Sequence, residues 1–352
     1  TANNVTIVNG EASIVDKNHV LCGDETYECD NLLLCTGSET FIPPIPGIDT
    51  VPYWTHRDAL DNKELPKSLV VIGGGVIGME FASFFNSLGV EVTVIEMLDE
   101  ILGGMDKELS AMLRAEYAKR GIKFMLNTKV VSLDGSTGEN GETQVRVNYE
   151  NAEGTGFSVA EKLLMSVGRR PVTKGFGLEN LNPEKTERGN IRVDGQMRTS
   201  VTGVYACGDL TGFSLLAHTA VREAEVAVHA VLGKKDCMSY RAIPGVVYTN
   251  PEIAGVGDTE EALQKKGIPY RTVKLPMAYS GRFVAENEGV NGICKLLLAE
   301  DDTVLGAHVL GNPASEIITL AGMAVELKLT AAEWKKIVFP HPTVGEIFKE
   351  AL

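Results

Sequence analysis

Ser68-Leu69-Val70-Val71-Ile72-Gly73-Gly74-Gly75-Val76-Ile77-Gly78-Met79-Glu80-Phe81 is the stretch on which the fold turns. A short apolar run meets three glycines and passes straight into residues at helical spacing, so the order reads strand, turn, helix. Gly73, Gly75 and Gly78 stand in the G-x-G-x-x-G pattern. The first permits a tight turn, the second lets a pyrophosphate approach the backbone, and the third allows close helix packing. Val76 and Ile77 open the helix, whose unpaired amides and positive dipole end suit an anion. Ile77, Phe81, Phe84, Phe85 and Leu88 recur three or four apart, so one face can cover a sheet before Gly89 stops the helix. Val90 to Ile95 is the next strand, and Glu96 ends it 18 residues beyond Gly78. A carboxylate there accepts hydrogen bonds from a ribose diol and repels a 2′-phosphate, so NAD is expected over NADP.

On the C-terminal side the spacing predicts a helix over Met105 to Arg120, closed by Gly121, then strands at Ile122 to Leu126 and Val130 to Leu133 and a hairpin through Gly135 to Gly141. This βαβ unit with its antiparallel addition should end near Gly168-Arg169-Arg170-Pro171. On the N-terminal side, short strands are expected at Val5 to Val8, Glu11 to Val15, His19 to Leu21 and Asn31 to Cys35. The Pro43-Pro44-Ile45-Pro46-Gly47 run marks a boundary. A further strand is expected at Val204 to Cys207 and a helix at Leu216 to Val231. Beyond Ile243, strands at Arg271 to Leu275, Gly292 to Leu298 and Val304 to Leu310 are grouped with helices at Thr259 to Lys266, Ala314 to Glu326 and Ala331 to Ile337. That grouping is of α+β type.

The chain has 352 residues with 33 basic and 47 acidic side chains, a formal charge of −14. Such a balance argues against an unspecific nucleic-acid or anionic-membrane binder. Six cysteines without a C-x-x-C pair do not make the framework of a small secreted domain. No run reaches the roughly 18 apolar residues of a membrane span, and Thr1-Ala2-Asn3-Asn4 does not open a signal peptide. A reducing compartment, the cytoplasm, is the expected location.

Other constellations have two readings each. In His341-Pro342-Thr343-Val344-Gly345-Glu346, a prolyl-braced imidazole can act as a base with the carboxylate fixing its tautomer, while Thr343 and Glu346 also have capping-box spacing. Asp209, in Cys207-Gly208-Asp209 after a strand, can bind a ribityl hydroxyl or cap a turn. Cys35, Cys207 and Cys294 read as small buried hydrophobes, and no zinc spacing joins them to Cys22, Cys29 or Cys237. His56, His218, His229 and His308 are scattered and supply no metal site; Met105 and Met112 read as core fillers, and Glu300-Asp301-Asp302 as a hairpin tip.

Seven segments, in order, carry a resemblance: Leu34-Cys35-Thr36-Gly37-Ser38, VVIGGGVIGMEFA from Val70, MSVGRRP from Met165, VYACGDLTG from Val204, LLAHTA from Leu215, YTNPEIAGVG from Tyr248 and HPTVGE from His341. Together they resemble the dihydrolipoamide dehydrogenases, within the flavin-dependent pyridine nucleotide disulfide oxidoreductases. The resemblance implies a Rossmann-like three-layer NAD domain over residues 61–189, a partial FAD-binding domain from residues 1–60 and 190–240, and an α+β dimerisation domain over 241–352. It implies that Gly73, Gly75, Val76, Ile77, Gly78 and Glu80 hold NAD with Glu96 on its ribose, flanked by Val130 and Gly168. For FAD it implies Ala12 near the adenine, Thr36, Gly37 and Ser38 in the closing loop, Asp209 on the ribityl or phosphate region, and Leu215, Leu216, Ala217 and His218 along the flavin. His341 would be the acid/base serving the partner subunit's dithiol, with Glu346 orienting it.

The activity implied is oxidation of protein-bound dihydrolipoamide, with electrons passing through a redox disulfide and FAD to NAD. The implied partners are a second copy of the chain and the lipoyl domains of 2-oxoacid dehydrogenase or glycine cleavage complexes. The family opens with a second GxGxxG and a CxxxxC redox pair, and neither spacing occurs here. The expectation is therefore a fragment lacking roughly a hundred residues, about one small domain, with no redox cysteines of its own, strands deprived of sheet partners, FAD binding impaired and little lipoamide activity alone. A glutathione-reductase-like enzyme is the neighbouring alternative, though its NADP preference would want basic residues where Glu96, Met97 and Leu98 stand. Mercuric reductase would want a C-terminal cysteine pair. A non-catalytic NAD-binding dimerisation module is the alternative from outside enzymology.

Overall fold

The computed structural model describes residues 4–138 and 141–352. The first three residues of the chain and two residues of the Gly135 to Gly141 hairpin lie outside the described residues. The backbone divides into two units, one of residues 1–40 and 169–240, the other of residues 41–168 and 241–352.

In the larger unit, Ser68–Ile72 sits inside a four-stranded parallel sheet with order Lys162–Met165, Ser68–Ile72, Glu91–Ile95, Lys123–Met125. Leu69 to Ile72 are all buried, as are Val92, Val94 and Ile95, which is the continuous apolar character of a sheet covered on both faces. The helix Val76–Ser87 lays Met79, Ala82 and Phe85 into the core beside Leu69, Val71 and Val94. Full burial of a side chain such as Phe85 is worth roughly 1.5–3 kcal/mol. Leu88 ends the helix, and Gly89 follows at φ 85°, the left-handed conformation glycine adopts without strain. The next helix is Lys107–Lys119, starting later than the periodicity predicts. Asp106 sets the start, its side chain accepting the Leu109 amide at 3.2 Å.

Beside this sheet lies a three-stranded antiparallel one, ordered Gly154–Ala160, Thr143–Asn151, Lys129–Thr137. Its inward residues Leu133, Val145 and Val147 share a core with Val70, Ile72 and Ile95. The C-terminal part is a five-stranded antiparallel sheet, ordered Gly245–Val247, Ile253–Gly257, Val304–Leu310, Ile293–Leu298, Arg271–Pro276. The helix Ala314–Glu326 packs Ile317, Ile318, Ala321 and Val325 into the core of that sheet, where the Trp334 and Phe348 rings stack with centroids 5.3 Å apart.

In the smaller unit, Val5 to Val8 is exposed and forms no strand, because apolar alternation yields a strand only where one face is buried. Ala12–Asp16, His19–Cys22 and Glu25–Glu28 form an antiparallel sheet. The strands expected to have lost their partners are paired: Leu32–Leu34 runs parallel to Val204–Ala206, and Ser38–Thr40 runs antiparallel to Arg169–Pro171. Ile14, Leu34, Leu178, Ile191, Val204, Ala206 and Leu210 close over them as a core. The helix Ala217–Val231 buries Val226, Ala227 and Ala230 against Met197 and Tyr205.

Candidate functional site

In the larger unit the site is built around the glycine turn. Gly73 has φ 101°, and a Cβ on it would run into the Ser166 carbonyl. A Cβ on Gly78 would strike the Gly73 carbonyl and lie 2.7 Å from Ser166 Oγ, so the helix can start this close only on glycine. Gly75 differs from both: a Cβ there meets nothing within 4 Å, although Gly75 is the N-cap of the Val76–Ser87 helix and no side chain caps that end. The open space and the uncapped amides of the first turn fit a bound pyrophosphate. Glu96 lies against the same turn, its Oε2 accepting the Gly74 amide at 2.6 Å and its Oε1 the Leu98 amide at 2.8 Å.

The flanking residues are drawn in by the backbone. Ser166 Oγ donates to the Gly73 carbonyl at 2.9 Å, tying the turn to the loop that carries Gly168, itself at φ 122°. The Thr128 amide donates to the Glu96 carbonyl at 3.0 Å, which brings the strand bearing Val130 alongside. Glu80, half-buried one turn up the helix, accepts the Tyr248 amide at 2.9 Å. Burial pushes its carboxyl above the ordinary value, partly offset by that amide.

In the same unit, His341 Nδ1 lies 2.9 Å from Glu346 Oε1 and 3.2 Å from Oε2. Glu346 Oε2 also accepts the Thr343 amide at 2.7 Å, while Thr343 Oγ1 donates to the Pro340 carbonyl at 2.8 Å. The capping-box reading is not realised, because the last helix, Ile347–Ala351, has Glu346 itself at its N-cap and no side-chain cap; the carboxylate instead braces the loop before it and orients the imidazole. The Thr343 amide, followed by the imidazole, holds the Glu346 carboxyl below the ordinary range against the opposing effect of burial. The His341 side chain is 83% exposed and its partner carboxylate 20%. With Nδ1 committed to a carboxylate, Nε2 is the nitrogen left to take or give a proton.

In the smaller unit, Thr36, Gly37, Ser38 and Asp209 converge. Thr36 Oγ1 donates to the Val172 carbonyl at 2.8 Å, and the Val172 amide donates to the Gly37 carbonyl at 3.0 Å. Ser38 Oγ donates to Asp209 and accepts from Arg169 Nε at 2.7 Å; the guanidinium lies 3.8 Å from Asp209. Leu216 is the N-cap of the Ala217–Val231 helix and no side chain caps that end, whose first residues include Ala217 and His218. Leu215 and Phe213 beside it are exposed apolar side chains. An uncapped helix end with apolar surface and an anchored carboxylate fits a flavin nucleotide. Ala12 stands apart from this group, exposed at the start of its strand in the three-stranded sheet.

Two anchoring groups went unassigned in the sequence reading. Arg169 lies inside the MSVGRRP run, where its guanidinium was a visible signal. Glu223 is fully buried, accepting the Gly208 amide at 2.6 Å and the Tyr240 hydroxyl at 2.6 Å, and burial pushes its carboxyl up. A single glutamate on a helix gives no local sign of that role. Among the described residues no group of three or more His, Cys, Asp or Glu is arranged to hold a metal, and no helix is long and apolar enough to cross a membrane.

The chain matches the family model for pyridine nucleotide-disulphide oxidoreductases over residues 1–224 and that for their dimerisation domain over residues 243–352. It is 38% identical over 362 residues to human mitochondrial dihydrolipoyl dehydrogenase, covering 99% of this chain and 69% of that protein. It is 38% identical to the dihydrolipoyl dehydrogenase of Geobacillus stearothermophilus, covering 99% and 74%. Among solved structures, the HOCl-induced flavoprotein disulfide reductase RclA of Escherichia coli superposes with TM-score 0.88 at 28% identity, over 99% of this chain and 79% of that one. LpdA of Mycobacterium tuberculosis does so with TM-score 0.85 at 28% identity, over 97% and 75%.

These matches correct three expectations. The oxidoreductase model matches residues 1–224, which overturns the expectations of a partial FAD domain and of a family member lacking that region, while the second GxGxxG and the CxxxxC spacing are not in the sequence. The physical counterpart is that residues 1–40 fold with residues 169–240 as one unit around their own core rather than as stranded remnants. The cytoplasmic location is overturned by the names of relatives, which are mitochondrial in human, pig and nematode. Sparse cysteines select a reducing environment and not an address. With both domain models matched and the glycine turn, its acid and the His341–Glu346 pair in place, the chain belongs to the pyridine nucleotide-disulphide oxidoreductases, related to dihydrolipoyl dehydrogenase and RclA.

Proposed function

We propose that the chain is an NAD-linked dihydrolipoyl dehydrogenase, oxidising protein-bound dihydrolipoyl groups to the cyclic disulfide. The observation that carries this reading is Glu96 bonded to the Gly74 amide at the mouth of an uncapped helix, since an acid there suits a free ribose diol and repels a 2′-phosphate. When bound, FAD supplies the conversion of dithiol electrons into hydride for NAD, which protein side chains cannot perform alone.

The residues divide the work. Gly73, Gly75 and Gly78, with the amides of Val76 and Ile77, hold the pyrophosphate of NAD; Glu96 binds its ribose, and Glu80, Val130 and Gly168 flank it. Thr36, Gly37, Ser38 and Asp209, braced by Arg169, with Ala12 and Leu215, Leu216, Ala217 and His218, hold FAD. On this reading residues 41–168 serve NAD and residues 1–40 with 169–240 serve FAD, in place of the expected 61–189 and 1–60 with 190–240, and residues 241–352 form the interface. His341 takes the proton that a dithiol must lose before it can act as a thiolate. Glu346 is a positioning residue that fixes the imidazole tautomer.

The dimerisation-domain match and the exposure of His341 support a homodimer in which this base serves the partner subunit's site. Lipoyl domains of 2-oxoacid dehydrogenase or glycine cleavage complexes are the protein substrates this reading names, and the names of the human and Geobacillus relatives support it. The test is NADH formation from dihydrolipoamide by the protein supplied with FAD, beside glutathione disulfide reduction with NADPH. Dihydrolipoamide-driven NADH formation is expected where the family's redox disulfide is present, and little from residues 1–352 alone, which hold no CxxxxC pair. With that disulfide present, glutathione disulfide reduction favouring NADPH, or NAD binding with no turnover on either substrate, would overturn the assignment.

A further inference from the structure

Cys35 and Cys207 follow the paired parallel strands Leu32–Leu34 and Val204–Ala206. The ladder continues one step past them, the Cys207 amide donating to the Leu34 carbonyl at 3.1 Å. The two Sγ atoms are 3.3 Å apart, and both cysteines are free thiols. A disulfide bond is about 2.05 Å long, so closing this pair requires little more than small side-chain rotations. The sequence reading as two buried hydrophobes holds for Cys207 alone, because Cys35 is exposed.

We propose that Cys35 and Cys207 are a redox-sensitive thiol pair that closes to a reversible disulfide with low-molecular-weight disulfides, Cys35 attacking and Cys207 resolving. The roles follow from position: Cys35 is the exposed residue that reagents reach first, and Cys207 is buried beside it. The hydrogen bond between the two sulfurs lowers the Cys35 thiol to about 7 against the opposing effect of burial. The same bond, then burial, then the charge of Glu223, push Cys207 up.

In the first step the Cys35 thiolate attacks one sulfur of the reagent RSSR, forming Cys35–S–SR and releasing RS⁻, which takes up the proton Cys35 gave to solvent. In the second, Cys207 loses its proton and attacks Cys35 Sγ; the mixed disulfide breaks and the second RS⁻ leaves as RSH. The protein gives up two electrons and two protons, and the reagent ends as two thiols. The link would join the ends of the strands that lead into Ser38 and Asp209, so the redox state of the pair is coupled to the loops assigned above to FAD. The thiol chemistry itself does not rest on the dihydrolipoyl reading.

The probe is oxidised glutathione on the folded protein, read by blocking free thiols and mapping peptides by mass spectrometry. The expected products are a Cys35–Cys207 linked peptide in wild type, a stable glutathione adduct on Cys35 in Cys207→Ser, and no linked peptide in Cys35→Ser. Wild-type protein whose exposed Cys237 is glutathionylated while Cys35 and Cys207 both remain blockable would overturn the proposal. So would Cys207→Ser that folds by circular dichroism yet acquires no adduct at Cys35. The wild-type map decides the matter even where a variant does not fold.

Discussion

His341 Nδ1 and Glu346 Oε1 lie 2.9 Å apart, and the same carboxylate takes the Thr343 amide at 2.7 Å. One side chain therefore holds both the loop that precedes the last helix and the tautomer of the imidazole. His341→Ala is expected to lower dithiol-dependent NAD reduction by about 10²- to 10⁴-fold while NADH binding is unchanged. Glu346→Gln is expected to lose less, because it retains an acceptor oxygen for Nδ1 and loses only the charge. Rates that Glu346→Gln leaves untouched across the pH profile would reduce this carboxylate to a brace for its loop.

The sign of the Glu346 effect on stability is fixed by its direction. A carboxyl held below its unfolded value stabilises the fold above that value, and the contribution is lost as pH falls through the lower, folded value. Denaturant midpoints of wild type and Glu346→Gln should therefore differ near neutrality and converge in acid. Parallel curves from neutral to acid pH would contradict this.

Gly75 and Gly78 should separate binding from folding. Gly78→Ala places a methyl against the Gly73 carbonyl and Ser166 Oγ, and overpacking of this kind costs about 1–3 kcal/mol, visible in the melting temperature. Gly75→Ala meets open space and should leave the melting temperature near wild type while weakening NADH binding, read by calorimetry. Equal melting losses in both variants, or NADH binding that the Gly75 variant leaves unchanged, would contradict this.

Lys295 is fully buried and lies 2.7 Å from Asp106, 3.0 Å from Glu108 and 2.5 Å from Glu260. Burial pushes the Glu108 and Glu260 carboxyls up, but hydrogen bonds from Lys295, with Lys274 and Thr272, more than offset it and hold both low. Lys295→Met strands these carboxylates, at a cost of about 3–5 kcal/mol in urea unfolding at neutral pH. The deficit should shrink as pH falls and the carboxylates are protonated. A loss that stays constant with pH would point to packing instead of charge.

How much of this was legible depends on whether the cause was local. Ser68–Ile72 and Ala314–Glu326 fold over the residues their periodicity marks, because apolar spacing is itself the cause of their burial. The later start of Lys107–Lys119 turns on one cap, Asp106, whose carboxylate is also bound to a lysine 189 positions away in sequence. His229, read as packing, pairs with Asp236 at 2.7 Å, and Glu223 reaches across to Gly208 and Tyr240. The Cys35–Cys207 approach joins residues 172 apart in sequence. Contacts of that range leave no mark on spacing, and the Cys35–Cys207 approach emerges only with the pairing of Leu32–Leu34 and Val204–Ala206.

The account stands most directly on the nucleotide at Glu96, and calorimetric titration of the purified protein with NADH and with NADPH tests it. NADH should bind more tightly by about 1.4 kcal/mol or more, roughly tenfold, with Glu96→Ala narrowing the gap. Tighter binding of NADPH, or a gap that Glu96→Ala leaves unchanged, would contradict it.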